Sequence, residues 1–298
     1  GLLGSPNSEA GLSFAQTVLL GGLAGFTIYL GLPVGRLQTL SPRVRVALAM
    51  FSVGILAFIF VDVLSHANEI VEGALDGYKN GNGSFGHLAG LVALLIGGFA
   101  FGSAGLGIIE RRLRPARPDP PPVRGGSGEV ALTPSESTRL AIEADDARRR
   151  ALQTGIVIAT AIGLHNFAEG LAIGVSARAG EISLATVLIV GFALHNATEG
   201  FGIVGPLGSV VPSWRWIGLV GLIGGGPTFL GAMAGYKVTS QPLELAFYAL
   251  AAGAILYVIG EIWQGMRRYG YRELGLILLA AGFAAGILTD LVVAYGGG

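Results

Sequence analysis

The feature that most constrains this chain is a series of long apolar stretches along nearly its whole length. Each is about 20 residues or longer, the length that an α-helix needs to cross a bilayer. The composition agrees, since 52% of the 298 residues are hydrophobic, 13% are charged and the mean hydropathy is +0.65. The sequence therefore predicts an all-α integral membrane protein, one transmembrane domain over 1–298 with eight spans. The stretches lie at roughly 12–35, 46–66, 87–109, 152–176, 182–208, 214–236, 242–263 and 274–295.

A β-barrel is the other structure that can cross a membrane, but its strands are short segments of alternating polarity. The runs here are long, continuous and rich in Gly, Ala and Leu. With 50 glycines in the chain, we expect closely packed helices. Cysteine is absent, which excludes disulfides and thiolate ligands. The first residues, GLLGSPNSEA, lack a basic segment, and we interpret them as a trimmed or tag-derived tail rather than a signal peptide.

The positions of the basic residues predict the orientation of the spans. If the loop after the first span is cytoplasmic, inner loops hold 16 of the 19 Lys and Arg residues. Lys79, Arg178 and Lys237 are then the basic residues of the outer loops. This asymmetry follows the positive-inside rule and predicts that both termini are extracytoplasmic.

One inner loop differs from the others in composition. Residues 110–150 are rich in Pro, Gly and Arg and have little to bury, so we expect a flexible cytoplasmic loop between the third and fourth spans. The segment STRLAIEADDARRR near its end begins with plausible helix-capping residues. Its arginines suit a topology determinant better than a regulatory or lipid-binding role, although both are compatible with the sequence.

Two spans share a polar motif. The fourth contains LHNFAEGLAIG from Leu164 to Gly174, and the fifth contains LHNATEGFGI from Leu194 to Ile203. Polar side chains in hydrocarbon are costly and usually functional. In each copy the Glu follows the His by four residues and the Asn by three, so on a helix it lies next to both. The candidate site residues are His165, Asn166, Glu169, His195, Asn196 and Glu199.

Spans joined by a short turn run antiparallel, so two motifs in the middle of their helices meet at one membrane depth. Imidazole with carboxylate suits zinc, iron, manganese or cobalt, whereas the thiolates and methionine cluster that Cu(I) prefers are missing. A single motif is equally well explained by hydrogen bonds that hold neighbouring helices together. Two matched copies favour a metal site, and inverted repeats with a site at the midplane are typical of secondary transporters.

The eight spans, the outward termini, the long loop and the sequences HNFAEG and HNATEG resemble the ZIP (Zrt/Irt-like) family of divalent metal transporters. The resemblance covers nearly the whole chain. It implies transport of zinc, iron or manganese toward the cytoplasm through a metal centre on the fourth and fifth spans. It also implies a first metal position held by His165, Glu169, His195 and Glu199, and a second lined by Asn166 and Asn196 with both glutamates bridging.

The sequence departs from the family pattern at several positions. Ala168 and Thr198 stand where the family usually has proline, so a local kink and a free backbone carbonyl are not expected. Gly226 stands where many relatives carry a glutamate, and we expect Gly226→Glu to add a charge beside the asparagines. Two glutamates neutralise one divalent cation but not two. The sequence thus predicts one strong metal position and a weak or absent second one.

Three further polar residues are candidates for the transport pathway. Asp62 and His66 lie four residues apart near the outer end of the second span and can share a face as an entrance for the cation; wetting by the lipid headgroups explains them equally well. Glu261, near the inner end of the seventh span, can receive the departing cation or form a structural ion pair with a nearby arginine.

Other functional classes fit the sequence less well. The patterns of helical di-iron enzymes and of intramembrane metalloproteases are missing, so we do not expect an enzyme. A membrane protein that binds or senses metal without transporting it stays open as an alternative. We expect a prokaryotic inner-membrane location, divalent metal (zinc first) and the bilayer as partners, and no organic cofactor or nucleic acid. Abundant small residues also allow a homodimer.

Overall fold

The computed structural model describes residues 12–37, 40–113, 134–179, 182–237 and 240–297. These ranges are helical and contain no strand, which confirms the predicted all-α class. The α-helices are α1 (Phe14–Phe26), α2 (Ile28–Gly31), α3 (Pro42–Lys79), α4 (Phe85–Ala100), α5 (Leu106–Leu113), α6 (Pro134–Ala179), α7 (Ile182–Val204), α8 (Trp214–Lys237), α9 (Gln241–Arg267) and α10 (Arg272–Gly297). A 3-10 turn, Leu32–Arg36, follows α2, a π-helical turn, Phe101–Gly105, joins α4 to α5, and a second 3-10 turn, Gly205–Leu207, follows α7.

Length and hydropathy identify seven of these helical segments as candidate membrane spans within the described residues. The helix α7, which holds the second motif, has 23 residues and is therefore about 34 Å long, enough to cross a hydrocarbon core of about 30 Å. The chain is an integral, multi-pass membrane protein.

Two helices are longer than the spans predicted for them. The 38 residues of α3 and the 46 of α6 correspond to about 57 Å and 69 Å, so each extends well beyond the bilayer. The helix α6 includes the part of the 110–150 loop after Pro134, whereas 114–133 lie outside the described residues. Local ion pairs explain part of this extension: Arg139 contacts Glu143 at 2.9 Å and Arg149 contacts Asp145 at 2.6 Å.

The two ends of the bundle differ in charge. At one end, Arg36 donates a hydrogen bond to the carbonyl of Pro212, and Arg268 donates to the carbonyl of Pro206 at 3.1 Å. We call this the arginine-rich end, because α3, α6, α8 and α10 begin there and α9 ends there with Arg267. At the opposite end, Tyr236 of α8 donates to the carbonyl of Leu12. This division matches the separation of charge seen in the sequence.

Glycines bring helix backbones into direct contact in two equivalent ways. A β-carbon on Gly231 of α8 would meet the carbonyl of Phe167 in α6, and one on Gly31 of α2 would meet the carbonyl of Ala197 in α7. Phe167 and Ala197 occupy the same position in the two motifs. The contact between α2 and α7 is therefore equivalent to the contact between α8 and α6.

A second pair of contacts follows the same rule. A β-carbon on Gly54 of α3 would meet backbone atoms of Leu279 and Gly282 in α10, and one on Gly253 of α9 would meet those of Phe99 and Gly102. Each helix pair approaches so closely that only glycine fits at the crossing.

These contacts define an inverted repeat. The main helix contacts of the bundle map onto one another when equivalent helices are exchanged. The equivalent helices are α1 and α2 with α8, α3 with α9, α4 and α5 with α10, and α6 with α7. The helices α6 and α7 lie across the pseudo-two-fold axis and hold the two motifs. This is the construction that places a site at the midplane in many secondary transporters.

Gly54→Ala should lower the thermal unfolding midpoint of the detergent-solubilised protein by several degrees, because the added methyl group overpacks the crossing of α3 and α10 and costs about 1 to 3 kcal/mol. The matched control is Gly97→Ala, since a β-carbon on exposed Gly97 meets nothing within 4 Å. Equal midpoints for the two variants would contradict the proposed role of the crossing.

Candidate metal centre

The six polar residues of the two motifs converge where α6 and α7 cross. His165, Asn166, Asn196 and Glu199 are fully buried, and Glu169 is 5% exposed. The sixth residue, His195, is the most accessible, with 12% of its side chain exposed. Five of the six side chains are thus sealed within a bundle whose other buried residues are mainly apolar.

Glu169 lies between the two imidazoles. Its Oε1 is 2.7 Å from Nε2 of His165 on the same helix, and it also contacts Nε2 of His195 on α7. The two imidazole rings are 6.1 Å apart, centroid to centroid. Because a carboxylate oxygen only accepts hydrogen bonds, the hydrogen bond between His195 and this oxygen places an N–H on Nε2 of His195.

Glu199 occupies a different environment. Its Oε2 accepts a hydrogen bond of 3.2 Å from the amide of Asn166, and its Oε1 lies 4.0 Å from Nε2 of His165. Three potential ligand atoms of the site lie within 4.8 Å of one another, one each from His165, His195 and Glu199. A tetrahedral zinc ion binds nitrogen and oxygen at about 2.0 to 2.2 Å, so these atoms would have to move closer together to share one cation.

The two asparagines are anchored in equivalent ways. Asn166 donates to the carbonyl of Gly224 in α8 at 2.9 Å, and Asn196 donates to the carbonyl of Ala24 in α1 at 3.3 Å. Each amide nitrogen is thereby fixed to a neighbouring helix, and each amide oxygen is left for the interior of the site.

Both neighbouring helices are irregular near these carbonyls. The first is interrupted at Thr27, which separates α1 from α2, and α8 carries Pro227 inside the helix. The hydroxyl of Thr27 donates to Ala193 of α7 at 2.7 Å, whereas Pro227 has no N–H to donate. Irregular helices beside the site are a recurring feature of transporters, because they free backbone groups at the midplane.

Four buried oxygens of the site have no hydrogen-bond partner among the described residues. Unsatisfied buried polar atoms are rare and costly, so a group of them indicates a missing ligand. A divalent cation satisfies oxygens of this kind and also balances the two carboxylates. The atoms are Oδ1 of Asn166, Oδ1 of Asn196, Oε2 of Glu169 and Oε1 of Glu199.

The positions that depart from the family pattern have a clear geometry. Ala168 is buried, and the hydroxyl of Thr198 donates to the carbonyl of His195 at 2.7 Å, so both helices continue without a break. The structure does not support a carboxylate at Gly226 lying beside the asparagines. A β-carbon on Gly226 would contact Leu222, and it is Gly224 that touches Asn166.

The three pathway candidates lie outside the six-residue centre. Asp62 and His66 share a face of α3, with Nδ1 of His66 3.7 Å from Oδ1 of Asp62, and their side chains are 44% and 51% exposed. Asp62 also interacts electrostatically with His165 and Glu169. The helix α3 continues past both residues to Lys79.

Glu261 is half-buried in α9. The inverted repeat relates it to Asp62, since each residue follows its equivalent crossing glycine, Gly253 or Gly54, by eight positions. The two carboxylates therefore lie on opposite sides of the centre. Sequence reasoning found both residues but not their relationship, and it missed the carbonyls of Ala24 and Gly224.

Comparison with known proteins supports the same part of the chain. Residues 127–259 match the family model described as ZIP Zinc transporter. A curated relative, Zinc transporter ZIPB of Bordetella bronchiseptica, is 28% identical over 163 residues, which cover 53% of this chain and 52% of that protein. The match thus spans about half the length of the curated relative. These findings agree with the resemblance seen in the two motifs, and the matched residues 127–259 contain all six residues of the centre.

Proposed function

We propose that this protein carries divalent transition-metal cations, zinc first, across the membrane toward the cytoplasm. The observation that carries the proposal is the buried centre of two imidazoles and two carboxylates, with four oxygens that lack partners. The match of residues 127–259 to the model described as ZIP Zinc transporter supports transport rather than catalysis. No organic cofactor is needed for this function.

The chemistry of the centre suits one divalent cation. His165, Glu169, His195 and Glu199 supply two nitrogens and two anionic oxygens, a set that zinc, iron(II), manganese and cobalt accept. The two negative charges balance one cation in a site that excludes water. A second cation would rely on the neutral oxygens of Asn166 and Asn196 and would carry uncompensated charge. We therefore propose one strong metal position and one weak position beside it.

The proposed pathway uses the carboxylates on both sides of the centre. Asp62 and His66 attract the cation from the extracytoplasmic side, and Glu261 receives it on the arginine-rich side. The positive-inside rule assigns the arginine-rich end to the cytoplasm. In a prokaryotic cell this corresponds to uptake across the inner membrane. Small residues on the outer helices are compatible with a homodimer.

A second candidate function is metal binding or sensing without transport. The continuous helices at Ala168 and Thr198 favour it, because they lack the proline that frees a backbone carbonyl in the family pattern. Uptake of radioactive zinc into proteoliposomes separates the two functions. Accumulation above that of protein-free vesicles supports transport, whereas tight binding without accumulation supports sensing.

Glu169→Ala and Glu199→Ala should each reduce zinc affinity by more than about 100-fold, because removing either anion leaves the cation under-neutralised in a buried site. Isothermal titration calorimetry on purified protein measures the effect. Glu273→Ala is the matched control, since Glu273 is exposed in the first turn of α10. Wild-type affinity in both site variants would refute the metal centre.

Zinc affinity should fall as the pH is lowered from neutral to mildly acidic values, because the metal binds neutral imidazole and competes with protons for it. Each histidine that is protonated before zinc binds must lose that proton, so binding at mildly acidic pH should release protons into the buffer. Calorimetry in buffers of different ionisation enthalpy counts those protons. An affinity that is constant between pH 5.5 and about 7.5 would exclude His165 and His195 as ligands.

Asp62→Asn and Glu261→Gln should each slow zinc uptake into proteoliposomes several-fold while leaving the affinity of the central site nearly unchanged. Each substitution keeps the side-chain size and removes the charge that attracts the passing cation. Initial rates at sub-saturating zinc are the measurement. Uptake at the wild-type rate in both variants would remove these residues from the pathway.

A further inference from the structure

The hydroxyl of Ser52 is an unusual polar group in this bundle. Ser52 lies in α3, is 1% exposed, and its Oγ has no hydrogen-bond partner among the described residues. Several other hydroxyls in the described helices bond to a carbonyl one turn earlier in their own helix, as Ser103 does at 2.8 Å and Thr160 at 2.9 Å. That local bond is the usual way to satisfy a hydroxyl in hydrocarbon. Ser52 does not use it. Besides Ser52, the buried hydroxyl of Thr228 in α8 also lacks a partner in the described part of the chain.

The Ser52 hydroxyl faces α7 immediately beside the metal centre. A β-carbon on Gly202 would lie 3.0 Å from Oγ of Ser52 and 3.2 Å from the side chain of Ile262 in α9. Gly202 follows Glu199 by three residues, so this point lies about one helical turn from Glu199 toward the arginine-rich end. Glu261 precedes Ile262 in α9 and lies at nearly the same level.

The inverted repeat has no equivalent hydroxyl on the other side of the centre. Ser52 precedes Gly54 by two residues, and the residue that precedes Gly253 by two is Ala251. In the same way Gly202 of the second motif corresponds to Ala172 of the first. Of these two pairs of equivalent positions, the pair toward the arginine-rich end therefore has the hydroxyl and the facing glycine, and the other pair has two alanines.

We infer that Oγ of Ser52 is a transient oxygen ligand for the cation as it leaves Glu199 toward the arginine-rich end. This inference rests on the proposed transport function and adds a step to it. A hydroxyl oxygen binds zinc or another divalent metal without a negative charge, so it holds the cation only briefly, as conduction requires. Gly202 is the residue of α7 that faces this oxygen, since a β-carbon there would lie 3.0 Å from Oγ of Ser52.

Ser52→Ala should reduce the initial rate of zinc uptake into proteoliposomes about fivefold, the effect expected for losing one neutral polar interaction. Zinc affinity at the central site should stay within about twofold of wild type. The thermal unfolding midpoint should be unchanged or higher, because the variant no longer buries an unsatisfied hydroxyl. Ser103→Ala is the matched control, and its uptake rate should equal that of wild type.

Ser52→Cys tests the position independently. The chain contains no other cysteine, and a thiolate binds cadmium strongly. Cadmium should inhibit zinc uptake by Ser52→Cys at concentrations at least tenfold lower than for wild type or Ser103→Cys, and a dithiol chelator should reverse the inhibition.

The outcomes separate this inference from the proposed function. If wild-type protein binds zinc but does not accumulate it in vesicles, the transport function itself is wrong. If wild type transports zinc and Ser52→Ala does so at the same rate, the inference is overturned. It is also overturned if Ser52→Ala is slow but cadmium affects Ser52→Cys no more than Ser103→Cys, because Ser52 then acts through the packing of the helices.

Discussion

The direct contact of helix backbones at glycine is the interaction on which the rest of the structure depends. Where Gly231 meets Phe167 and Gly31 meets Ala197, no side chain separates the helices, and a helix with an ordinary residue there would be displaced by more than an ångström. A displacement of that size would change which groups meet at the site. The carbonyls that anchor Asn166 and Asn196 belong to the helices held by these crossings, so the amide oxygens point inward only while the crossings are intact.

The centre is less symmetric than the repeat that builds it. Glu169 contacts both imidazoles, whereas Glu199 is held by Asn166. Equivalent residues thus have different partners although their helices are related by the pseudo-two-fold axis. The physical reason is that two neighbouring buried carboxylates repel each other and compete for the same donors. A cation between them removes the competition, because it satisfies both at once.

The all-α membrane fold and the meeting of the six polar residues could be predicted from the sequence, because hydropathy and a motif at helical spacing are local signals. Eight spans were expected, and the described residues contain seven candidate spans. The carbonyl partners could not, since they depend on which helices touch. A signal for those contacts does exist in the sequence: glycines at 21, 25, 31 and 35 recur at 221, 225, 231 and 235. The full length of α3 and α6 was missed for another reason, because their extensions are polar helices that hydropathy does not detect. The direction in which a side chain at position 226 would point depends on how α8 is rotated about its own axis. No local sequence pattern predicts that rotation.

The inverted repeat also limits what any single residue can do for transport. Asp62 and Glu261 are equivalent across the axis, so they provide a carboxylate on each side of the centre, whereas the hydroxyl of Ser52 has no counterpart. An asymmetric path of this kind does not by itself make transport run one way, because a passive route obeys equilibrium in both directions. Ser52 can lower the barrier on one side and so change the rate equally for both directions. The net direction must come from the metal gradient, from the membrane potential, or from protons that the imidazoles of the centre exchange for metal.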